Sequence, residues 1–174
     1  MRYLRPMMCG LLLLTGFGVA EPQANSPGDT PPHTAPEPAA LQQAFFSVIR
    51  EGDTAKFLSY VPEQGTSVGR QARHVTRTEI EQQLAQHRDL YCKLFDSSCI
   101  PSPGNLDSGK RVCSYRELLT HSDKVRTAAT EAVRGGVRQA ILVAEVKNDQ
   151  CAGVGLIDFI FNEGHSGWEL FSMP

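Results

Sequence analysis

Residues 155–173 read GLIDFIFNEGHSGWELFSM. Two apolar runs flank a turn segment, Glu163-Gly164-His165-Ser166-Gly167. The first run is short and rich in Ile and Phe, which reads as a buried strand. Side chains alternate along a strand, so Ile157, Phe159 and Phe161 share one face and Asp158 lies on the other. The turn then carries the chain back into a last strand over 168–173. Further upstream, 124–133 and 137–147 read as another strand pair across Arg134-Gly135-Gly136, whose glycines can take the positive φ of a tight hairpin. Residues 148–153 form the turn between the pairs. Two successive hairpins predict a four-stranded antiparallel meander.

The residues before this sheet read as helices. Over 39–51, Leu41, Ala44, Phe45, Val48 and Ile49 recur with helical spacing and form one apolar face. Gly52 suits the left-handed position that ends a helix. Asp53 can cap a short second helix bearing Phe57, Leu58 and Val61, which Pro62 stops. Residues 63–65 are a turn and 66–75 read as extended. Thr76-Arg77-Thr78-Glu79 is a capping box, and a third helix is expected from there to Leu94. Its inner stripe would be Ile80, Leu84, His87, Tyr91 and Leu94. Residues 96–110, rich in Ser, Pro, Gly and Asp, read as a loop, and 114–120 as one or two helical turns. Helices first and sheet last predict an α+β domain over 39–174, with three N-terminal helices on one face of the sheet.

The chain has 174 residues, room for one ordinary domain. Hydrophobic residues make up 41% and charged residues 21%, which excludes wholesale disorder. The net charge of −2 argues against a protein built to grip nucleic acid. Residues 1–20 read as a secretory signal peptide. Arg2 and Arg5 precede an apolar run over 7–19 that includes Leu11 to Leu14 and ends in Gly18-Val19-Ala20. A helix over that run would span roughly 20 Å, short of the roughly 30 Å hydrocarbon core. Cys9 precedes the leucines, whereas a lipid-modified cysteine would follow them. Residues 21–38 carry Pro22, Pro27, Pro31, Pro32, Pro36 and Pro38 among polar residues and read as an extended, disordered linker. No later apolar stretch is long enough to span a bilayer.

Cleavage after Ala20 leaves four cysteines: Cys92, Cys99, Cys113 and Cys151. An even count in an exported chain suggests two disulfides. Of three pairings we favour Cys92–Cys99, closing a short loop, with Cys113–Cys151 tying a loop to the sheet. There is no Cys-x-x-Cys pair and no close Cys/His spacing, so no metal is expected. Nor does any cofactor fingerprint appear. Gly153-Val154-Gly155 stands at a strand start rather than between a strand and a helix.

Two titratable residues are catalytic candidates. His87, on the expected apolar stripe, could act as a general acid or base near neutral pH, or could be a core-rim histidine satisfied by one hydrogen bond. Asp158 would be a base if buried, and otherwise faces solvent or a partner. A basic cluster, Arg70, Arg73, His74 and Arg77, is a weak candidate binding site for an acidic partner or anionic glycan. On an extended strand Arg70 and His74 would share a face roughly 13 Å apart.

The run LQQAFFSVIREGDTAKFLSYV over 41–61, a third helix, and the ending FIFNEGHSGWELFSM over 159–173 together resemble the nuclear transport factor 2-like superfamily. The resemblance covers about 39–174 and implies a strongly curved sheet wrapped around helices, a cone with a pocket. That superfamily includes isomerases, dehydratases, cyclases and non-catalytic binding domains, so fold alone does not choose a function.

These readings together lead to an exported, periplasmic or secreted domain, without cofactor, that binds a small ligand or a protein in the cell envelope. The alternative is a small cofactor-free isomerase, dehydratase or hydrolase using His87 and a carboxylate. Export is checked by mass spectrometry of the secreted chain. The N-terminus is expected at Glu21; retention of residues 1–20 would instead support a membrane anchor.

Overall fold

The computed structural model describes residues 35–100, 109–152 and 155–174. The signal peptide, Cys9, most of the Pro-rich linker, much of the 96–110 loop and Gly153-Val154 lie outside the described residues.

The first helix, α1, spans Pro38–Glu51. Its buried face carries Leu41, Phe45, Phe46, Val48 and Ile49. Gly52, at φ +74°, ends it and donates its N–H to the Val48 and Ile49 carbonyls. Asp53 caps α2 (Thr54–Ser59) by accepting from the Lys56 N–H at 2.9 Å. Helix α3 (Arg77–Ala85) opens on the expected capping box, in which the Glu79 carboxylate accepts from the Thr76 N–H at 2.8 Å. A second box, Ser114 with Glu117, opens the helix Tyr115–His121.

The third helix is shorter than its apolar spacing predicts. It stops at Ala85, and a separate helix, α4, spans Leu90–Leu94, which makes Tyr115–His121 the fifth, α5. Between α3 and α4, His87 and Asp89 take left-handed φ of +51° and +41°. The Gln83 side chain holds this break by accepting from the Leu90 N–H at 3.2 Å. A continuous helix would carry His87 into the core at the cost of desolvating its ring nitrogens. The break turns His87 outward and brings Leu90, Cys92 and Leu94 inward instead.

Among the described residues the sheet has six strands, in the spatial order Arg73–Val75, Thr66–Val68, Gly167–Met173, Leu156–Gly164, Val137–Lys147 and Lys124–Arg134. β3 (Lys124–Arg134), β4 (Val137–Lys147), β5 (Leu156–Gly164) and β6 (Gly167–Met173) form the expected antiparallel meander. The extended segment after α2 enlarges it. β1 (Thr66–Val68) and β2 (Arg73–Val75) make a short hairpin, and β1 lies parallel to β6 through Ser67–Ser172 and Val68–Met173. The sheet is therefore mixed rather than purely antiparallel. β1 covers the C-terminal end of the β6 edge, at Ser172 and Met173, where backbone groups would otherwise stand unpaired.

Phe45 of α1 organises the interior. Its ring lies edge-on to Phe159 at 4.8 Å, Phe161 at 4.9 Å and Tyr60 at 5.3 Å. Phe45, Phe46, Phe57, Phe159 and Phe161 have at most 1% exposure, so aromatic side chains fill the space between α1 and β5.

Residues 35–38, expected as the end of the linker, pack on the domain. Ala35 is buried, Pro38 is the first residue of α1, and the Trp168 indole N–H donates to the Pro36 carbonyl at 2.6 Å. Arg138 stacks over Trp168 at 5.1 Å and pairs with Glu131 at 2.9 Å and Glu163 at 3.4 Å.

Both disulfides follow the favoured pairing. Cys92–Cys99 joins α4 to the 3₁₀ turn Ser97–Cys99, with Cα atoms 5.5 Å apart. Cys113–Cys151 joins the lead-in to α5 with the β4–β5 connection, with Cα atoms 5.6 Å apart. Among the described residues no helix is long and apolar enough to cross a membrane.

Truncating Phe45 leaves a void among the rings of Phe46, Phe57, Tyr60, Phe159 and Phe161, because close-packed neighbours relax only in part. Phe45→Ala is expected to cost about 3–5 kcal/mol in chemical denaturation. A loss under about 1 kcal/mol would contradict this packing.

Candidate functional site

The strand register leaves a notch beside β5. Ile160 pairs with Ser172 and β6 ends at Met173, whereas β5 begins at Leu156 and pairs with β4 as far back as Leu156–Glu145. The first residues of β5 therefore have a neighbour on the β4 side but none on the β6 side. A cavity of about 440 Å³ opens there. Its polar lining is Arg70, Lys93, Tyr115, Asp158 and Ser172. Met173 and Leu156 supply apolar wall.

Each side chain comes from a different element. Lys93 is half-buried on α4 and donates from Nζ to the Pro174 main-chain oxygen. Its ammonium lies 5.7 Å from the Tyr115 ring centroid, within cation–π range. Burial pushes the Lys93 pKa below its ordinary value, because desolvation penalises the ammonium. Tyr115 is the first residue of α5, and its ring packs edge-on to Phe159 at 6.1 Å. Burial raises the Tyr115 pKa, and the nearby Asp158 charge raises it further. The phenol is therefore a neutral hydrogen-bonding group at ordinary pH. Asp158 is exposed, on the opposite parity from Phe159.

Of the two catalytic candidates, the cavity takes Asp158. His87 is not among its lining residues. The His87 ring is exposed and stacks flat on Tyr91, with centroids 4.1 Å apart. The basic cluster is dispersed. Arg70 sits in the β1–β2 turn, between Gly69 at φ +77° and Ala72 at φ +49°, so it shares no strand face with His74. Arg73 and His74 are exposed on β2. Arg77 is engaged locally, pairing with Glu81 at 3.4 Å and Glu63 at 3.8 Å and donating to the Val61 carbonyl. His74 borders a second, smaller cavity of about 240 Å³ with Thr66 and Glu169.

Lys93 and Tyr115 escaped the sequence reading. They lie 22 positions apart, with no spacing rule to join them. The one local signal was Ser114-Tyr115-Arg116-Glu117, a capping box that fixes where α5 starts and hence where Tyr115 stands.

Among the described residues no group of three or more His, Cys, Asp or Glu side chains is placed to hold a metal ion. No family model, curated protein or solved structure matches the chain.

The buried ammonium gives a pH signature. With its folded-state pKa below the unfolded 10.5, Lys93 binds fewer protons in the folded state over the window just under 10.5. Its desolvation cost is therefore relieved as pH rises through that window. The stability of wild type relative to Lys93→Met is expected to increase from pH 8 toward pH 10.5 in parallel denaturation series. A pH-independent difference would contradict a desolvated Lys93.

Proposed function

We propose that the chain is an exported, non-catalytic ligand-binding domain of the cell envelope with a nuclear transport factor 2-like fold, and that its site is the notch beside β5. The observation that carries this reading is the division between a filled interior and a polar notch. In the cone reading, the space between helices and sheet would be the pocket. Here the rings of Phe45, Phe159 and Phe161 occupy it. The concavity at the notch brings convergent polar groups together beside the apolar wall of Met173 and Leu156, and such groups fix the orientation of a small molecule.

The other parts of the reading rest on separate supports. Two disulfides are compatible with an oxidising compartment. The leader-like residues 1–20 supply the route. The enzymatic alternative needs His87 beside a carboxylate in a pocket, whereas its ring stacks on Tyr91 away from Asp158's cavity.

The test compares the full, disulfide-bonded chain with Ser172→Trp, which fills the notch from a half-buried position. A small-molecule extract of the producing cell's envelope is expected to raise the wild-type Tm by at least about 3 °C, since a ligand that binds only the folded state stabilises it. Ser172→Trp should show no rise. Equal stabilisation of both proteins, or turnover of extract components in proportion to added protein, would contradict the proposal.

A further inference from the structure

We propose that the notch cavity takes a small zwitterion, one ammonium and one carboxylate on a scaffold of amino-acid size. This inference rests on the reading of the notch as a binding site and names the ligand's chemistry.

The charges around the cavity point to it. Lys93 and Arg70 supply two cations and Asp158 one carboxylate. Among the described residues no ion pair of 4.0 Å or less joins either cation to Asp158, although other carboxylates on the molecule are paired. Charges of both signs therefore face one cavity, and neither Lys93 nor Arg70 forms a direct ion pair with Asp158. A plain anion would meet Lys93 and Arg70 but also the repulsion of Asp158. A plain cation would meet the reverse. A ligand carrying both groups satisfies both ends, and charge-assisted hydrogen bonds are the strong ones.

The remaining hydrogen-bonding capacity agrees. Lys93 spends one of its three donors on the Pro174 oxygen, which leaves two for a ligand carboxylate. The lowered Lys93 pKa follows from the desolvation of its ammonium at the cavity wall. The Tyr115 phenol and the Ser172 hydroxyl can serve either end of the ligand. Met173 and Leu156 offer apolar contact to a short carbon chain. About 440 Å³ is at the small end of the range for ligand sites, roughly 300–1,000 Å³.

Such a zwitterion is either a free amino acid or a short peptide, and the probes separate the two. Isothermal titration of the full, oxidised chain would use glycine, γ-aminobutyrate and triglycine, in order of increasing charge separation. Butyrate stands for the anion alone and butylammonium for the cation alone. At least one zwitterion is expected to bind tenfold or more tightly than butyrate and butylammonium. Asp158→Asn and Lys93→Gln should each weaken it at least tenfold. Asp158 is exposed, so its variant keeps the fold and the test does not hang on the more buried lysine. Tightest binding by triglycine would assign the ligand to peptides, and by either of the others to free amino acids.

Butyrate binding as tightly as every zwitterion, or indifference to Asp158→Asn, would overturn the inference. So would the absence of binding by all three zwitterions. If the envelope extract still stabilises wild type and not Ser172→Trp, only the zwitterion assignment falls. If that response is missing too, the notch is not the binding site.

Discussion

The contact on which this structure depends is the wedge of Phe45 between α1 and β5. Its ring touches Phe159 and Phe161 from the sheet and Tyr60 from the end of α2, all edge-on. Aromatic pairs in this geometry add specificity to the large area they bury. That cluster sets how α1 stands on the sheet and fills the space between α1 and β5 with side chains. The notch lies at the periphery of these layers. The register of β5 against β6 supplies the place by ending β6 short of the first residues of β5.

The disulfides act on the same region from two directions. Cys92 precedes Lys93, and its bridge to Cys99 ties α4 to the turn that follows. Cys113 stands two residues before Tyr115, and its bridge to Cys151 ties the start of α5 to the β4–β5 connection. A five-residue helix has little stability of its own. Each of the two elements that carry Lys93 and Tyr115 has a covalent tie beside the residue that lines the notch. The oxidising compartment suggested by the cysteines is thus also the one in which the notch would be best ordered.

Much of the architecture could be read from local patterns. Period-2 alternation around Phe159, the helical stripe through Phe45 and the Thr76 capping box each set an element by short-range physics, and each element formed. The α3–α4 break could not be read that way. The stripe Ile80–Leu84–His87–Tyr91–Leu94 is consistent with one helix, whereas the break exposes His87, buries Leu90 and Cys92, and is held by Gln83. The parallel β1–β6 pairing joins residues over 100 positions apart and leaves no mark in either segment. The site was legible in two residues, Arg70 from the basic cluster and Asp158. Asp158 stood out as a charge inside an apolar strand, whereas Lys93 and Tyr115 acquire meaning only when α4, α5 and the β5 edge meet.

The central claim is that the helix–sheet interior is filled and the polar concavity lies at the notch. Nuclear Overhauser measurements on the oxidised chain, with Phe, Tyr and Lys labelled, test it most directly. The account predicts cross-peaks from the Phe45 ring to Phe159 and Phe161, and from the Lys93 ε-protons to the Tyr115 ring. Absence of the Phe45 contacts, with water exchanging beneath α1 and His87 turned into that space, would contradict it.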